Sequence, residues 1–330
     1  MSTQVTIIGL GQIGASIGLA LSDHKDEMKR VGHDLDIAIA RQAEKIGAID
    51  RVAVNIPSAV EKSKVVLLSL PSDQVFETLE LIAPYLSEGC VVLDTAPIKQ
   101  AAFEWIQELL PAKRFYVGLI PVINPVYLDE ETTGQEAAHA DLFQNGLMAI
   151  TAPASTHPDA LQLASDLTKL IGANPLFVDP IEIDGLMAST HTLPQLLAAA
   201  LVNSTVNNPG WRDGRKIAGR AFAKSTKLTG YLDDAGSLSQ AALSNPENTI
   251  RVLEGTIASI RSYITDIENN DRASLEARLD AARKGHQQWW NERQTSDWLS
   301  MDGIPKVEYP TPSSIFGRLI GMGRKSKSEK

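Results

Sequence analysis

Cysteine is almost missing from this chain: Cys90 is the only one in 330 residues. No intramolecular disulfide can form, and no cysteine-rich metal site can be built. The HExxH pattern is also missing, so no metal centre is expected. No apolar run reaches the ~18 residues that a membrane span needs. The N-terminus passes straight into a strand rather than through the charged and apolar regions of a secretory leader, and the expected compartment is the cytoplasm. Positive charge is in deficit, 31 Lys and Arg against 40 Asp and Glu for a net charge of −9, which argues against nucleic acid as the main partner. No internal repeat occurs at solenoid spacing. With 43% hydrophobic and 22% charged residues, the balance is that of an ordinary globular protein. Its length suits about two domains.

What is present is concentrated at the start. Val5-Thr6-Ile7-Ile8 reads as a buried strand, Gly9-Leu10-Gly11-Gln12-Ile13-Gly14 follows at once, and Ala15–Leu21 reads as a helix. This is GxGxxG at a strand-to-helix turn, the setting in which it marks a dinucleotide site. Gly9 permits the tight turn, Gly11 lets the backbone approach a pyrophosphate, and Gly14 allows the helix to pack closely on the strand. The helix start offers unpaired N–H groups and the positive end of a dipole. Asp34, at the end of the next strand and twenty residues past Gly14, would accept hydrogen bonds from a ribose hydroxyl. No arginine stands beside it to receive a 2′-phosphate, so NAD is favoured over NADP.

The alternation of strand and helix continues. Ile37–Ile46 and Ser72–Tyr85 read as helices, the second with Ser72 as its cap, and Pro97 fits the first turn of another. Lys64–Leu70, Gly89–Asp94, Arg114–Leu119, Leu147–Ile150 and Pro175–Val178 read as strands. The expected fold is α/β, with a mostly parallel sheet covered on both faces over residues 1–180. Ligands on such sheets bind at the carboxyl ends of the strands, which adds Leu70, Pro71 and Thr95 to the candidate cofactor residues. From Glu182 the sequence reads as almost wholly helical. Ile183–Val206 is rich in Ala and Leu and should be buried on most sides. Further helices are expected near Arg212–Lys224, Leu238–Ser244, Pro246–Glu268 and Arg272–Arg293. Residues 181–298 are therefore expected to form an all-helical substrate and dimerisation domain. Residues 299–330 read as a flexible basic tail: a proline-containing linker over Gly303–Pro312, the apolar Ile315–Met322, then Arg324, Lys325, Lys327 and Lys330. Contact of this tail with an anionic membrane surface is the alternative to simple disorder.

From Val5 to Arg293 the chain resembles the prephenate/arogenate dehydrogenases of tyrosine biosynthesis. The resemblance is carried by Gly9–Ile17, Leu70-Pro71, Val91–Asp94 leading to Lys99, Asp141-Leu142-Phe143, Leu193-Pro194, Trp211-Arg212-Asp213 with Ile217-Ala218, and Asn245–Asn248. It implies oxidation of a small acidic cyclic substrate by NAD(P). Hydride leaves the carbinol carbon, a histidine takes the hydroxyl proton, and loss of the ring carboxylate gives an aromatic product. It also implies a homodimer through the helical domain. The chain departs from the family pattern where the chemistry should lie. Pro97 stands at the family's serine after the strand, and Ile120 at the histidine of His-Pro-Met. The Ser-His-Leu-Pro-His pattern becomes His191-Thr192-Leu193-Pro194-Gln195, and Lys216 replaces an arginine. Isoleucine cannot accept a proton, and lysine lacks arginine's two-pronged grip on a carboxylate.

His191 is the leading candidate for the missing base, since imidazole titrates near neutrality; the alternative is a histidine hydrogen-bonded within a helical core. Lys99 would bind a carboxylate or shape the nicotinamide pocket, or else lie exposed in a first helical turn. Arg212, Arg215 and Lys216 form a cationic group for an acidic substrate, or a solvated helix face. Asn124, Gln195 and Thr95 supply neutral hydrogen-bonding groups in the same region. Glu130-Glu131 and Asp233-Asp234 read as solvated loops. Two alternatives to the family activity stand: a non-catalytic nucleotide-binding paralogue, and a dehydrogenase or imine reductase with another substrate.

Overall fold

The computed structural model describes residues 2–230 and 233–295; the tail expected over 299–330 lies outside them. The strands are β1 (Thr3–Ile8), β2 (Met28–His33), β3 (Arg51–Val52), β4 (Ser63–Leu68), β5 (Val91–Asp94), β6 (Phe115–Val122), β7 (Leu147–Thr151) and β8 (Asn174–Phe177). They form one sheet in the order β3-β2-β1-β4-β5-β6-β7-β8. Only the β6–β7 pairing in it is antiparallel. The chain leaves the carboxyl end of β6 through an irregular connection with no crossover helix, so the next strand must run back.

The helices on this sheet are α1 (Gln12–Ala20), α2 (Ile37–Lys45), α3 (Ile56–Val60), α4 (Val75–Ile82), α5 (Gln100–Leu109) and α6 (Pro158–Leu170). The two-residue period of a strand divides its apolar run between two faces. Val65, Leu67, Val91, Leu93, Val117 and Leu119 meet Ala15 and Ile17 of α1, Ala40 and Ala43 of α2, and Leu163 and Leu167 of α6. Val66, Leu68, Val92 and Tyr116 meet α3, α4 and α5 through Ala59, Val60, Leu79 and Phe103. Each fully buried side chain of this size contributes about 1.5–3 kcal/mol, so these two layers outweigh any local propensity.

From Pro180 onward the described chain is helical: α7 (Pro180–Met187), a π-helical turn (Ala188–Thr192), α8 (Leu193–Val206), α9 (Trp211–Ile217), α10 (Arg220–Thr226), α11 (Ala235–Leu243), α12 (Pro246–Glu268) and α13 (Arg272–Thr295). None of the described helices is long and apolar enough to cross a membrane. A small apolar cluster of Ile120, Ala149 and Ile183, with Val178 and Met187 against it, joins the end of the sheet to α7.

Several local expectations are corrected. The helix expected over Ile183–Val206 is interrupted by the π turn, and in α8 only Gln195 and Ala198 are buried. The helix expected over Arg212–Lys224 is two, because the backbone is extended at Gly219 between α9 and α10. Pro97 precedes α5 rather than opening it. Ser72 sits inside a 3-10 turn, Ser72–Gln74, that leads into α4 without a side-chain cap.

Candidate active site

The glycine turn is built by close approach. Gly9 has φ of +88°, and a Cβ there would fall 2.1 Å from the carbonyl oxygen of Ser69. A Cβ on Gly14 would lie 2.0 Å from the carbonyl oxygen of Gly9, so α1 can reach β1 only without one. Gly11 differs: a Cβ there would meet no protein atom within 4 Å, so internal packing does not require a glycine. Gly11 is also the N-cap of α1 and carries no capping side chain, which leaves the first-turn N–H groups of Gln12, Ile13 and Gly14 to an incoming acceptor. Asp34 stands beside them. Its Oδ2 accepts from Leu10 N–H at 2.8 Å and its Oδ1 from Asp36 N–H at 3.0 Å. Leu70 touches the position a Gly9 Cβ would occupy, and Pro71 caps the 3-10 turn that follows β4. Thr95 donates through Oγ1 to the Leu68 carbonyl at 3.2 Å. Because β2, β1, β4 and β5 are consecutive neighbours, Asp34, the glycine turn, Leu70-Pro71 and Thr95 follow one another along one carboxyl edge. An anionic acceptor at the helix start with a hydroxyl-bearing ring at Asp34 fits these groups.

Lys99 does not open onto that edge. Its side chain is completely buried, with Nζ donating to Asp94 Oδ2 at 3.0 Å and to the Asp94 carbonyl at 2.8 Å. Tyr116 donates its hydroxyl to the same Asp94 oxygen at 2.5 Å. Burial pulls the Lys99 pKa down against the opposing pull of Asp94, and burial beside Asp94 pushes that of Tyr116 well up. Asp184 of α7 closes the group, accepting from Lys99 N–H at 2.8 Å and Gln100 N–H at 3.0 Å. Lys99 is thus not the exposed lysine of a first helical turn: its ammonium is enclosed and already paired, and it presents no free cation at the surface. Asn124 is likewise held: its Oδ1 accepts from Val126 N–H at 3.2 Å and caps the turn after β6. Ile120, which the sequence resemblance sets against a histidine, is 5% exposed within the apolar cluster under α7. Cys90 is buried, and burial pushes its thiol up to about 12, so it is no nucleophile.

The β6–β7 connection folds back over the glycine turn. Gln135 donates to the carbonyls of Leu10 and Ile39, each at 3.0 Å. His139 N–H donates to Ser16 Oγ at 3.0 Å. The His139 ring stacks on Tyr127 at 4.2 Å and meets Glu130 at 3.0 Å.

His191 lies in the π turn and is partly exposed. Its Nε2 is 2.7 Å from Asp233 Oδ2. Gln195, 1% exposed, donates to that same oxygen at 2.9 Å and accepts from Asp233 N–H at 3.1 Å. Burial pushes the Asp233 carboxyl up, but hydrogen bonds from His191 and Gln195 outweigh it and hold the pKa below the usual aspartate value. Asp233 is the residue the sequence reading passed over as solvated: its histidine lies 42 positions away, with nothing local to mark it. Its neighbour Asp234 caps α11 through Ser237 N–H at 2.8 Å. Ser237 Oγ in turn accepts Ser72 N–H at 3.0 Å, from the turn after β4. The histidine's partner thus stands directly before a helix seated on the carboxyl edge. Arg212, Arg215 and Lys216 are elsewhere, on the exposed face of α9, and Lys216 pairs with Asp213 at 2.7 Å.

Comparison with known proteins finds relatives in both sequence and fold. Residues 17–176 match the family model described as prephenate dehydrogenase, nucleotide-binding domain. A prephenate dehydrogenase of Bacillus subtilis is 28% identical over 277 residues, covering 83% of this chain and 73% of that protein. In sequence the chain is thus similar to the prephenate dehydrogenases, most of all across the nucleotide-binding region. A cyclohexadienyl dehydrogenase of Zymomonas mobilis is 24% identical over 269 residues, 81% of this chain and 89% of that one. In fold, the chain resembles the prephenate dehydrogenase of A. aeolicus solved with hydroxyphenyl propionate and NAD+. The TM-score is 0.76 at 22% identity, over 87% of this chain and 98% of that chain. Of the positions singled out by the sequence resemblance, Asp94 and Lys99 are paired with each other and Ile120 is packed into the core.

Removing one partner of a buried ion pair strands the other. Lys99→Met should therefore lower the unfolding free energy by about 3–5 kcal/mol, read from urea denaturation. A loss under about 1 kcal/mol would place the pair with solvent-exposed ones.

Proposed function

We propose that this protein is an NAD-dependent dehydrogenase that oxidises a small acidic cyclic alcohol of the prephenate or arogenate type, with decarboxylation to an aromatic product in tyrosine biosynthesis. His191 is the general base in this reading. The observation that carries it is the attachment of the His191–Asp233 pair, through Asp234, Ser237 and Ser72, to the carboxyl edge that bears the glycine turn and Asp34. The first turn of α1 would hold the pyrophosphate and Asp34 the adenine ribose. NAD, when bound there, supplies the hydride acceptor. His191 takes the hydroxyl proton as the carbinol carbon is oxidised, and the substrate's own carboxylate leaves as carbon dioxide. Arg212, Arg215 and Lys216 remain the nearest family match for a carboxylate-binding group. Thr95, Asn124 and Gln195 then act by shaping the edge rather than by carrying charge. A biosynthetic dehydrogenase that draws on the cellular NAD pool belongs in the cytoplasm, and that placement is part of the reading.

A homodimer through the helical region belongs to it as well. Ile250, Leu253, Ile257, Ile260, Ile264 and Ile267 recur at alternating spacings of three and four along α12, the seam of a helix that pairs with another. The five isoleucines are 48–64% exposed, an apolar stripe that a second copy of the chain would cover.

A second reading has its own support. Ile120 is packed against Ile183 and Ala149, so the family's proton acceptor is not merely substituted but absorbed into the core. A nucleotide-binding paralogue without turnover would have that feature.

The deciding experiment is NADH formation from NAD with prephenate and arogenate in parallel. Turnover with either supports the first reading; NAD binding without turnover on these or related acids supports the second. Asp34→Ala should weaken NAD binding about 10- to 100-fold, the cost of about 1.5–3 kcal/mol for a hydrogen bond to a charged group; unchanged affinity by calorimetry would remove the cofactor assignment. His191→Asn should reduce kcat about 10²-fold or more with the fold intact, and near-normal turnover would send the proton elsewhere. Ile260→Asp should convert a dimer to monomer in sedimentation equilibrium, whereas an unaltered dimer would place the interface off α12.

A further inference from the structure

We propose that Asp233 is a positioning residue for His191: it fixes which ring nitrogen carries the proton, and Gln195 fixes Asp233. The inference rests on the reading of His191 as the base and adds to it the residue that makes the imidazole competent.

The geometry is specific. A carboxylate can only accept, so the 2.7 Å contact between His191 Nε2 and Asp233 Oδ2 requires Nε2 to be the protonated nitrogen of the neutral ring. The lone pair then lies on Nδ1, and Nδ1 is the atom that receives a proton. Gln195 Nε2 also lies 3.3 Å from His191 Nε2, but two N–H donors do not bond to each other; both converge on Asp233 Oδ2. The Gln195 amide cannot turn round, because its Oε1 accepts Asp233 N–H at 3.1 Å while its Nε2 serves the carboxylate at 2.9 Å. Asp233 is therefore gripped by backbone and side chain together from a buried residue, and it has one orientation to offer the ring.

The π turn accounts for the register. A π turn holds an extra residue relative to an α turn, and such turns recur at functional sites. Here Thr192, which the family pattern places at the histidine, is 4% exposed. His191 instead lies one step earlier, partly exposed, with Asp233 and Gln195 around it.

The proton balance is simple. As the substrate O–H bond breaks, an N–H bond forms at Nδ1, and the carbon-bound hydrogen leaves with its electron pair to the nicotinamide nucleotide. The imidazolium so formed keeps its Nε2–H on Asp233, whose negative charge stabilises it. Without that carboxylate the neutral ring divides between two tautomers and the cation has no counter-charge.

The test is the tautomer itself together with turnover. In ¹⁵N-labelled protein, long-range proton–nitrogen spectra should show His191 as the Nε2–H form. Asp233→Asn should produce a mixture or the Nδ1–H form and lower kcat about 10²- to 10⁴-fold with little change in KM. Asp233→Glu should restore part of both. Gln195→Met, which frees Asp233 without removing its charge, should give a smaller loss of kcat, and this variant carries the test if Asp233→Asn does not fold. An unchanged Nε2–H signal and unchanged kcat in Asp233→Asn would overturn the positioning role. His191→Asn run alongside separates the two failures: if it retains turnover the base assignment falls first, and if it loses turnover while Asp233→Asn does not, only the positioning role falls.

Discussion

The carboxylate of Asp184 joins the two halves of the site. It reaches from α7 to the N–H groups of Lys99 and Gln100 and so serves as the cap of α5, a helix that has no capping side chain of its own. Burial pushes the Asp184 pKa up, and the two backbone N–H bonds oppose that rise. Beneath it, Asp94, Lys99 and Tyr116 form a closed group between the end of β5 and the first half of β6. A helix capped by its neighbour rather than by itself gains those N-terminal hydrogen bonds only when the neighbour is in place. The line of α7 over the sheet is therefore set by backbone hydrogen bonds, and the π turn that follows inherits its position from them.

With that joint fixed, the proposed function sets proton transfer away from the end of the sheet. Position 120 at the end of β6 has become part of the apolar contact between sheet and α7. The groups able to move a proton stand instead on the π turn and just before α11. The nucleotide side shows no such rearrangement: the turn from Gly9 to Gly14 and the carboxylate of Asp34 keep the arrangement that a dinucleotide requires.

What the sequence disclosed follows the range of the forces involved. The apolar runs of β4, β5 and β6, the glycine turn and the full length of α12 could be read directly, because period and turn chemistry are local. Even the pairing of Asp34 with the glycine turn follows from spacing within one strand–helix–strand unit. The start of α5 is not legible in the sequence, since its cap lies 85 positions away, and Pro97 therefore reads as a first-turn residue although the helix begins at Gln100. Lys99 reads from sequence as a substrate-facing or exposed cation, because its enclosure by Asp94 and Tyr116 depends on the pairing of β5 with β6. Asp233 reads as half of a solvated acidic pair because its histidine lies 42 positions away. The π turn has no sequence signature here at all, and it decides which of His191 and Thr192 faces outward.

The bonds from Gln135 to the carbonyls of Leu10 and Ile39 have a consequence for how this molecule opens. The connection from β6 to β7 has little regular structure, and segments of that kind ordinarily fray alone, with an opening free energy near zero. Here its middle is tied to the glycine turn and to α2, His139 is tied to α1 through Ser16, and its start is held by the 2.6 Å bond from Asn124 N–H to the Leu142 carbonyl. Its amide protons are therefore expected to exchange with those of the α/β body, which would make it part of the sheet in local stability.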